Sequence, residues 1–279
     1  MSVKTTVITG ATSGIGKETA LALAKKDHAL YMLVRDTGKG EQVKKEIISE
    51  TGNKAIHVVQ CDLADLKSVH KAADELKTKL TSINILINNA GGIFAERQLS
   101  ADGFEMTFAT NNLGHFALTL QLMPLLIKGH ARVINVSSNA YKAGKANFDD
   151  LQREHSYSAF KAYGTAKLFN IFFTKSLAEK YGAQGVTSVA LHPGLVNSGF
   201  GDRLSGIGKF FWMLSRPFMI TPEKGAKTTV FVATDPKVEL KSGNFYENSK
   251  LDSTIEKAND FPGRNRLWNI SEQLTGITA

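Results

Sequence analysis

Short apolar runs alternate with longer segments of helical character along most of the chain. The apolar runs, several of them rich in β-branched residues, predict strands at residues 3–9, 29–34, 55–60, 83–88, 132–136, 186–191 and 243–246. The segments between them predict helices at residues 15–26, 39–51, 66–80, 103–127, 157–181 and 222–234. Alternating strands and helices are typical of βαβ units, which build a parallel sheet.

The predicted strands are continuously apolar, as expected when helices cover both faces of a sheet. We therefore predict an α/β fold, a Rossmann-type doubly wound parallel sheet. The length of 279 residues is near the upper limit for one hydrophobic core, and no linker-like tract divides it. A single domain over residues 1–279 is predicted, with its ligand site beyond the carboxyl ends of the strands.

Composition and charge narrow the functional classes. With 42% hydrophobic and 22% charged residues, no signal-peptide pattern and no uncharged stretch of about 20 residues, a soluble protein is expected. The one cysteine, Cys61, excludes an intrachain disulfide and a multi-cysteine metal site. The net charge of +8 is spread along the chain, so no nucleic-acid partner is predicted. We expect a cytoplasmic protein without a resident metal.

A glycine-rich turn joins the first strand to the first helix. Its spacing is GxxxGxG, in which glycine permits a tight turn, close approach of the backbone to a pyrophosphate, and close packing of the helix. The helix N-terminus also favours an anion. An ordinary glycine-rich turn is the competing interpretation. The predicted phosphate-binding residues are Gly10, Thr12, Ser13, Gly14, Ile15 and Gly16.

The residues after the second strand bear on the choice of cofactor. Arg35 comes first and could bind the 2′-phosphate of NADP(H) with its planar donor fork, and Lys17 and Lys39 could add charge. Asp36 argues the other way, because NAD enzymes usually place a carboxylate near the ribose 2′-hydroxyl. We predict NADP(H).

The third strand ends at a second candidate position for the cofactor. Asp62, followed by Leu63, is predicted to accept a hydrogen bond from the adenine amino group. A helix cap is a comparably common role for an aspartate at this position.

Five motifs, in order and at the expected strand ends, resemble the short-chain dehydrogenase/reductase family. The retinol dehydrogenase-like branch is the more similar one, because residues 35–41, 111–116 and 267–276 resemble its segments. The motifs are TGxxxGxG at 9–16, NNAG at 88–91, a serine after the fifth strand at Ser137 or Ser138, YxxxK at 163–167, and PG at Pro193 and Gly194.

The resemblance implies four catalytic residues, Asn111, Ser138, Tyr163 and Lys167. Tyrosine has an ordinary pKa near 10, and a lysine four residues on, with the oxidised nicotinamide, would favour its phenolate. By resemblance, Ser138 would hold the substrate oxygen, and Asn111 a water that links Lys167 to solvent. The implied cofactor residues near the nicotinamide are Asn89, Ala90, Gly91, Tyr163, Lys167, Pro193, Val196 and Ser198.

Two of these predictions have competitors in the sequence. Tyr157 and Lys161 form another YxxxK, but on a helix this pair would face about 240° away from the pair at Tyr163, so both cannot serve one site. Tyr163 is preferred, because a close-packed stripe that includes Ala162 and Ala166 lies beside it. Likewise Ser137 could take the place of Ser138.

Residues 199–221 are rich in aromatic and aliphatic side chains, among them Phe210, Phe211 and Trp212. We predict a lid over an apolar substrate, against two alternatives, ordinary core packing and a weak membrane contact. The predicted function is an NADP(H)-dependent oxidoreductase for an apolar aldehyde, ketone or retinoid-like alcohol. An epimerase or dehydratase and a cofactor sensor without turnover are the alternatives. The sequence does not predict the oligomeric state.

Overall fold

The computed structural model describes residues 3–197, 219–252, 255 and 259–278. Within them, eight strands form one sheet in the order β3-β2-β1-β4-β5-β6-β7-β8. Neighbouring strands are parallel from β3 through to β7, and β8 pairs antiparallel with β7 at the edge. The strands are β1 Thr5–Thr9, β2 Ala29–Val34, β3 Ile56–Gln60, β4 Ile85–Asn88, β5 Arg132–Val136, β6 Thr187–His192, β7 Phe245–Glu247 and β8 Lys250–Asp252.

Helices cover both faces of the sheet. Val7 and Ile8, adjacent on β1, belong to different core clusters, because successive side chains of a strand point to opposite faces. The doubly wound, open α/β fold predicted from the sequence is confirmed. The helices are α1 Gly14–Ala24, α2 Thr37–Thr51, α3 Leu66–Lys79, α4 Met106–Phe108, α5 Gly114–Gln121, α6 Met123–Lys128, α7 Ala159–Tyr181, α8 Pro222–Thr234 and α9 Phe261–Thr275.

The segment predicted as one helix over residues 103–127 differs from the prediction. It begins at Met106, where the Glu105 carboxylate accepts from two backbone N–H groups, and passes through a π-helical turn at Ala109–Leu113. It breaks again at Leu122, and Pro124 lies in the first turn of the helix that follows. Since π turns occur often at functional sites, the interruption directs attention to the residues in it.

Further differences concern the start of α7, the last strand of the sheet and the predicted lid. The helix predicted from residue 157 begins at Ala159, and β8 was not predicted. The lid segment 199–221 lies outside the described residues, except for positions 219–221.

In the described part of the chain, no helix is both long and apolar enough to cross a membrane, and no group of His, Cys, Asp and Glu side chains could hold a metal ion.

Candidate active site

A cleft of about 840 Å³ lies along the carboxyl ends of the parallel strands. This is where the fold class places ligands. Asn111 does not line the cleft, and Ser198 lies outside the described residues. The predicted site residues that line it are Gly10, Thr12, Ser13, Gly14, Ile15, Gly16, Arg35, Asp62, Leu63, Asn89, Ala90, Gly91, Ser138, Tyr163, Lys167, Pro193 and Val196.

The turn between β1 and α1 has the geometry of an anion site. Gly10 has a φ of +69°, a backbone conformation that favours glycine, and a Cβ on Gly16 would lie 2.2 Å from the Gly10 carbonyl oxygen. Ser13, the N-cap of α1, makes no side-chain cap hydrogen bond, whereas Asp36 and Asp65 cap α2 and α3. The first turn of α1 therefore presents uncapped N–H groups to the cleft, which fits a pyrophosphate.

The two residues after β2 have different environments. Asp36 is the N-cap of α2, and its carboxylate accepts a hydrogen bond of 3.0 Å from the Lys39 backbone N–H. Arg35 is exposed and lines the cleft. Lys17 forms an ion pair with Glu46 rather than lining the cleft. The adenosine ribose is predicted to bind at the end of the cleft beside β2. There, the charged side chain available to a ligand is that of Arg35, because the Asp36 carboxylate is engaged by α2.

Asp62 lines the cleft after β3, and its Oδ1 accepts a 3.0 Å hydrogen bond from the Ala64 backbone N–H. The cap of α3 is Asp65, whose carboxylate accepts from Lys67 and Ser68. The helix-cap role that competed for Asp62 therefore belongs to Asp65. Asp62 therefore stays available, on the lining of the cleft, for the predicted contact with the adenine.

The segment after β6 reaches the cleft through a short bridge. Ile220 donates to the Leu195 carbonyl at 2.8 Å and accepts from the Asn197 N–H at 2.9 Å. Those bonds use the groups on either side of Val196, so the N–H and C=O of Val196 itself point away from the bridge. Val196 lines the cleft, in agreement with a backbone contact to the nicotinamide carboxamide.

Ser138 and Tyr163 meet at the end of β5. Their side chains are hydrogen bonded to each other, and Ser138 also accepts from the Ala140 N–H at 3.2 Å. Ser137, the competing serine, is 2% exposed, and its hydroxyl donates to the Lys167 carbonyl at 2.7 Å. The geometry therefore favours Ser138 as the serine that contacts a substrate oxygen.

Lys167 lies beneath Tyr163 on α7. Its Nζ is 5.3 Å from the centre of the tyrosine ring and donates to the Val136 carbonyl at 2.9 Å. Burial lowers the pKa of Lys167 to about 7. Burial also raises the pKa of Tyr163, although the ring borders the cleft, and the Ser138 hydrogen bond acts against that rise. A positive charge bound beside the pair would lower the pKa of Tyr163 and favour its phenolate.

The second YxxxK pair has a structural role. The Tyr157 hydroxyl donates to the Phe94 carbonyl at 2.8 Å and lies 3.3 Å from the Thr107 hydroxyl. Tyr157 precedes the first residue of α7, and Lys161 is exposed. This pair does not line the cleft, so the structure favours Tyr163.

Asn111 lies in the π turn and is fully buried. Its Nδ2 donates to the carbonyls of Gly92 and Thr107, and its Oδ1 accepts from the Gly92 N–H at 3.3 Å. A Cβ on Gly91 would lie 2.4 Å from that Oδ1 and 3.5 Å from the Lys167 Nζ. The side chain therefore holds the loop after β4 beside Lys167, and its amide is already occupied by backbone groups.

Sequence reasoning missed the residue that anchors the loop after β4. The Thr9 hydroxyl accepts from the N–H groups of Asn89 and Ala90 at 3.0 Å and pairs with His115 Nε2 at 2.9 Å. Burial lowers the pKa of His115 to about 4, so this histidine is neutral and supports Thr9 rather than taking part in proton transfer. The position of Thr9 in the TGxxxGxG motif was the signal that could have identified it.

An apolar wall flanks Tyr163, and the sequence analysis did not predict it. Phe160 is 57% exposed although it lines the cleft, and Leu195 is 44% exposed. Phe160 precedes Tyr163 by nearly one helical turn, a spacing that could have placed it beside the tyrosine. We use the name apolar wall for five apolar residues that line the cleft, Ile93, Phe94, Met106, Phe160 and Leu195.

Comparisons with known proteins agree with this geometry. A family model for short chain dehydrogenase matches residues 4–205. Retinol dehydrogenase 12 of Homo sapiens is 41% identical over 275 residues, which cover 98% of this chain and 87% of that protein. The crystal structure of an uncharacterized protein from Mycobacterium paratuberculosis has a TM-score of 0.79 and 33% identity, and the match covers 98% of this chain and 93% of that chain.

A more distant structure shares the fold. The 3-ketoacyl-(acyl-carrier-protein) reductase from Brucella melitensis, complexed with NADH, has a TM-score of 0.68 and 23% identity, with 88% of this chain and 96% of that chain covered. The uncapped turn after β1 and the Ser138–Tyr163–Lys167 group fit a nicotinamide dinucleotide. The chain belongs to the short-chain dehydrogenase family, in its retinol dehydrogenase-like branch, and is an oxidoreductase that transfers hydride with a nicotinamide cofactor.

Proposed function

We propose that this chain is an NADP(H)-dependent oxidoreductase that interconverts an apolar aldehyde or ketone, or a retinoid-like substrate, with the corresponding alcohol. One observation carries the choice of cofactor. After β2, the Arg35 side chain lines the cleft, whereas the Asp36 carboxylate is committed to capping α2. A carboxylate engaged by a helix N-terminus is poorly placed to accept from a ribose hydroxyl, and a guanidinium suits a phosphate.

The apolar wall beside Tyr163 supports the substrate class. Phe160 and Leu195 line the cleft and are largely exposed, and Phe94 and Met106 line it as well. A ligand that covers this surface gains about 0.8 kcal/mol for each buried methylene. The name of the similar human protein, retinol dehydrogenase 12, points to the same kind of substrate.

The side chains at the end of β5 would carry out the proton transfer. In carbonyl reduction, the Ser138 hydroxyl donates a hydrogen bond to the substrate oxygen, and Tyr163 gives its proton to that oxygen as the alcohol forms. The phenolate that remains is stabilised by the Lys167 ammonium below it. When bound, the nicotinamide supplies the hydride for this direction and accepts it for the reverse one.

Steady-state kinetics with a series of straight-chain aldehydes test the proposal. We expect kcat/KM to be higher with NADPH than with NADH, and to rise at best about fourfold for each added methylene until the wall is covered. Equal efficiency with both cofactors would contradict the NADP(H) assignment. A flat or falling series would contradict the apolar substrate. Product formation without net NADPH consumption would point to an epimerase or dehydratase.

Three predictions from the sequence stay open. Residues 198–218 lie outside the described residues, so the lid over residues 199–221, its alternatives of core packing and weak membrane contact, and the cofactor contact of Ser198 remain predictions. The cytoplasmic location stays a prediction; it rests on the single cysteine, Cys61, which is a free buried thiol and can form no intrachain disulfide. Fractionation of the native protein tests the location.

A further inference from the structure

A small cavity lies behind α7, on the side where α9 packs. It has about 20 Å³ of room for the centre of a water molecule. Three buried polar atoms of its lining residues have no hydrogen-bond partner among the described residues: Asn112 Oδ1, Arg264 Nε and Trp268 Nε1. Arg264 and Trp268 belong to α9, whereas Asn112 belongs to the π turn. Three such atoms around one cavity need a common explanation, because each costs free energy when it is buried without a partner.

The number and type of these atoms match one water molecule. A water needs roughly 10–15 Å³ of such room and two to four polar partners. The Arg264 and Trp268 N–H groups are donors, so the water would accept from both and donate one hydrogen to Asn112 Oδ1. A larger ligand does not fit the volume, and the Arg264 guanidinium disfavours a cation. Its charge is already paired, because Nη1 contacts Glu179 at 2.7 Å.

The cavity is connected to the catalytic lysine by a continuous series of hydrogen bonds. Asn112 Nδ2 donates to Asn170 Oδ1 at 2.6 Å and to the Ala166 carbonyl at 2.9 Å. Asn170 Nδ2 donates to the Val136 carbonyl at 3.2 Å, and the Lys167 Nζ donates to that same carbonyl at 2.9 Å. Since a carbonyl fixes each end of the series, the orientations of both amides follow, and Asn112 Oδ1 must face the cavity.

We propose that this cavity is a binding site for one structural water, and that Asn112 and Asn170 are positioning residues through which the docked helix α9 orients Lys167. The part that concerns Lys167 rests on the proposed function, whereas the water site does not. Asn112 acts here through a different route from Asn111, which holds the loop after β4. The series ends on Val136, the carbonyl that sets where the lysine ammonium lies beneath Tyr163.

A crystal structure of the full chain that shows ordered waters tests the site itself. One water is expected within about 2.7–3.2 Å of Asn112 Oδ1, Arg264 Nε and Trp268 Nε1. A dry cavity, or direct hydrogen bonds among the three groups, would overturn the water site whether or not the chain turns over any substrate.

The pH profile of alcohol oxidation tests the positioning role. In Asn112→Leu, Asn170 loses the donor that orients it, so Lys167 should lie less well beneath Tyr163 and lower its pKa less. We expect kcat to fall about two- to thirtyfold, the range for residues coupled to a site through a network. The acid limb should shift to higher pH, with the KM for NADP⁺ unchanged. A fall in kcat without any shift of the acid limb would mean that Asn112 has a packing role alone, and would overturn the proposal.

Ser271→Ala is the matched control, because Ser271 lines the same cavity but its hydroxyl already donates to the Leu267 carbonyl at 2.8 Å. Its profile should equal that of the wild type. If Asn112→Leu does not fold, Trp268→Phe replaces it, since this change removes one N–H donor and keeps an aromatic, though smaller, side chain. A shift of the acid limb in the same direction, smaller than for Asn112→Leu, is expected, and an unshifted profile would count against the positioning role. Wild-type inactivity would instead be a failure of the proposed function.

Discussion

The two ends of the cleft use charge in different ways. At the end of β2, Arg35 is exposed and lines the cleft. At the end of β5, Lys167 is buried, its pKa is lowered to about 7, and it lies 5.3 Å from the Tyr163 ring. Exposed charges act in a high dielectric and are screened by salt, whereas buried groups interact strongly and shift each other's pKa. The first end is therefore suited to selecting a ligand and the second to moving a proton.

The largest effect is expected at the buried end. Tyr163→Phe removes the hydroxyl that transfers the proton, so kcat should fall about 10²- to 10⁴-fold, the usual contribution of general acid–base catalysis. The Kd for NADPH should change little. Tyr157→Phe is the matched control, because the Tyr157 hydroxyl donates to the Phe94 carbonyl and Tyr157 does not line the cleft. If Tyr157→Phe were the inactive variant, the choice between the two pairs would be wrong.

The adjacent serines give a second contrast. Ser138→Ala removes a donor aimed at the substrate oxygen and should lower kcat about 10²-fold, the scale for one such donor. Ser137→Ala should keep most of the turnover and lower the free energy of unfolding by about 1 kcal/mol, because only the bond to the Lys167 carbonyl is lost. Kinetics and thermal unfolding of both variants measure the two effects. Similar losses of kcat would remove the distinction between the serines.

At the exposed end, a smaller and salt-sensitive effect is expected. Arg35→Ala should raise the Kd of NADPH about ten- to a hundredfold, the scale of a charged hydrogen bond, and leave that of NADH nearly unchanged. The loss should shrink as ionic strength rises, because salt screens the arginine–phosphate attraction. Titration of both nucleotides at two salt concentrations measures this. An equal rise in the Kd of NADPH and of NADH would contradict the prediction that Arg35 binds the 2′-phosphate.

The smallest effect concerns the apolar wall. Phe160→Ala should lower kcat/KM for long aldehydes by a fewfold and spare short ones, because only a part of the exposed ring can be covered by substrate. Phe261→Ala is the control, since Phe261 is 53% exposed but does not line the cleft. A uniform loss over all chain lengths would mean that Phe160 supports the fold rather than the substrate.

The sequence predicted the sheet and the strand ends because both follow from local patterns. Apolar runs mark the strands, and glycines at fixed spacing mark the turn after β1. It could not predict how Asp36 would be used, because an aspartate beside a ribose and an aspartate at a helix N-cap have the same local sequence. The resemblance favoured Ser138 over Ser137, but the physical reason for that choice lies in contacts with α7, which is distant in the chain.

Long-range packing also explains the errors in the helices. The predicted helix over residues 103–127 has no glycine or proline at the position where the π turn forms. The turn follows from the burial of Asn111 between the loop after β4 and α4, where its amide bonds backbone groups of both. Periodicity reports which face is buried and does not report such a contact. The apolar wall was not predicted, because an aromatic residue such as Phe160 within a helix is usually part of the core, and the sequence pattern does not show that it lines the cleft.

A titration of Tyr163 with and without NADP⁺ tests the central claim most directly. The tyrosinate absorbance of the wild type, minus that of Tyr163→Phe, isolates this phenol from the other tyrosines of the chain. The account predicts a pKa above the ordinary value of about 10 in the free protein, because burial raises it. It predicts that this pKa falls when NADP⁺ is bound, because the oxidised nicotinamide carries a positive charge. A difference titration that is the same with and without NADP⁺ would contradict the account.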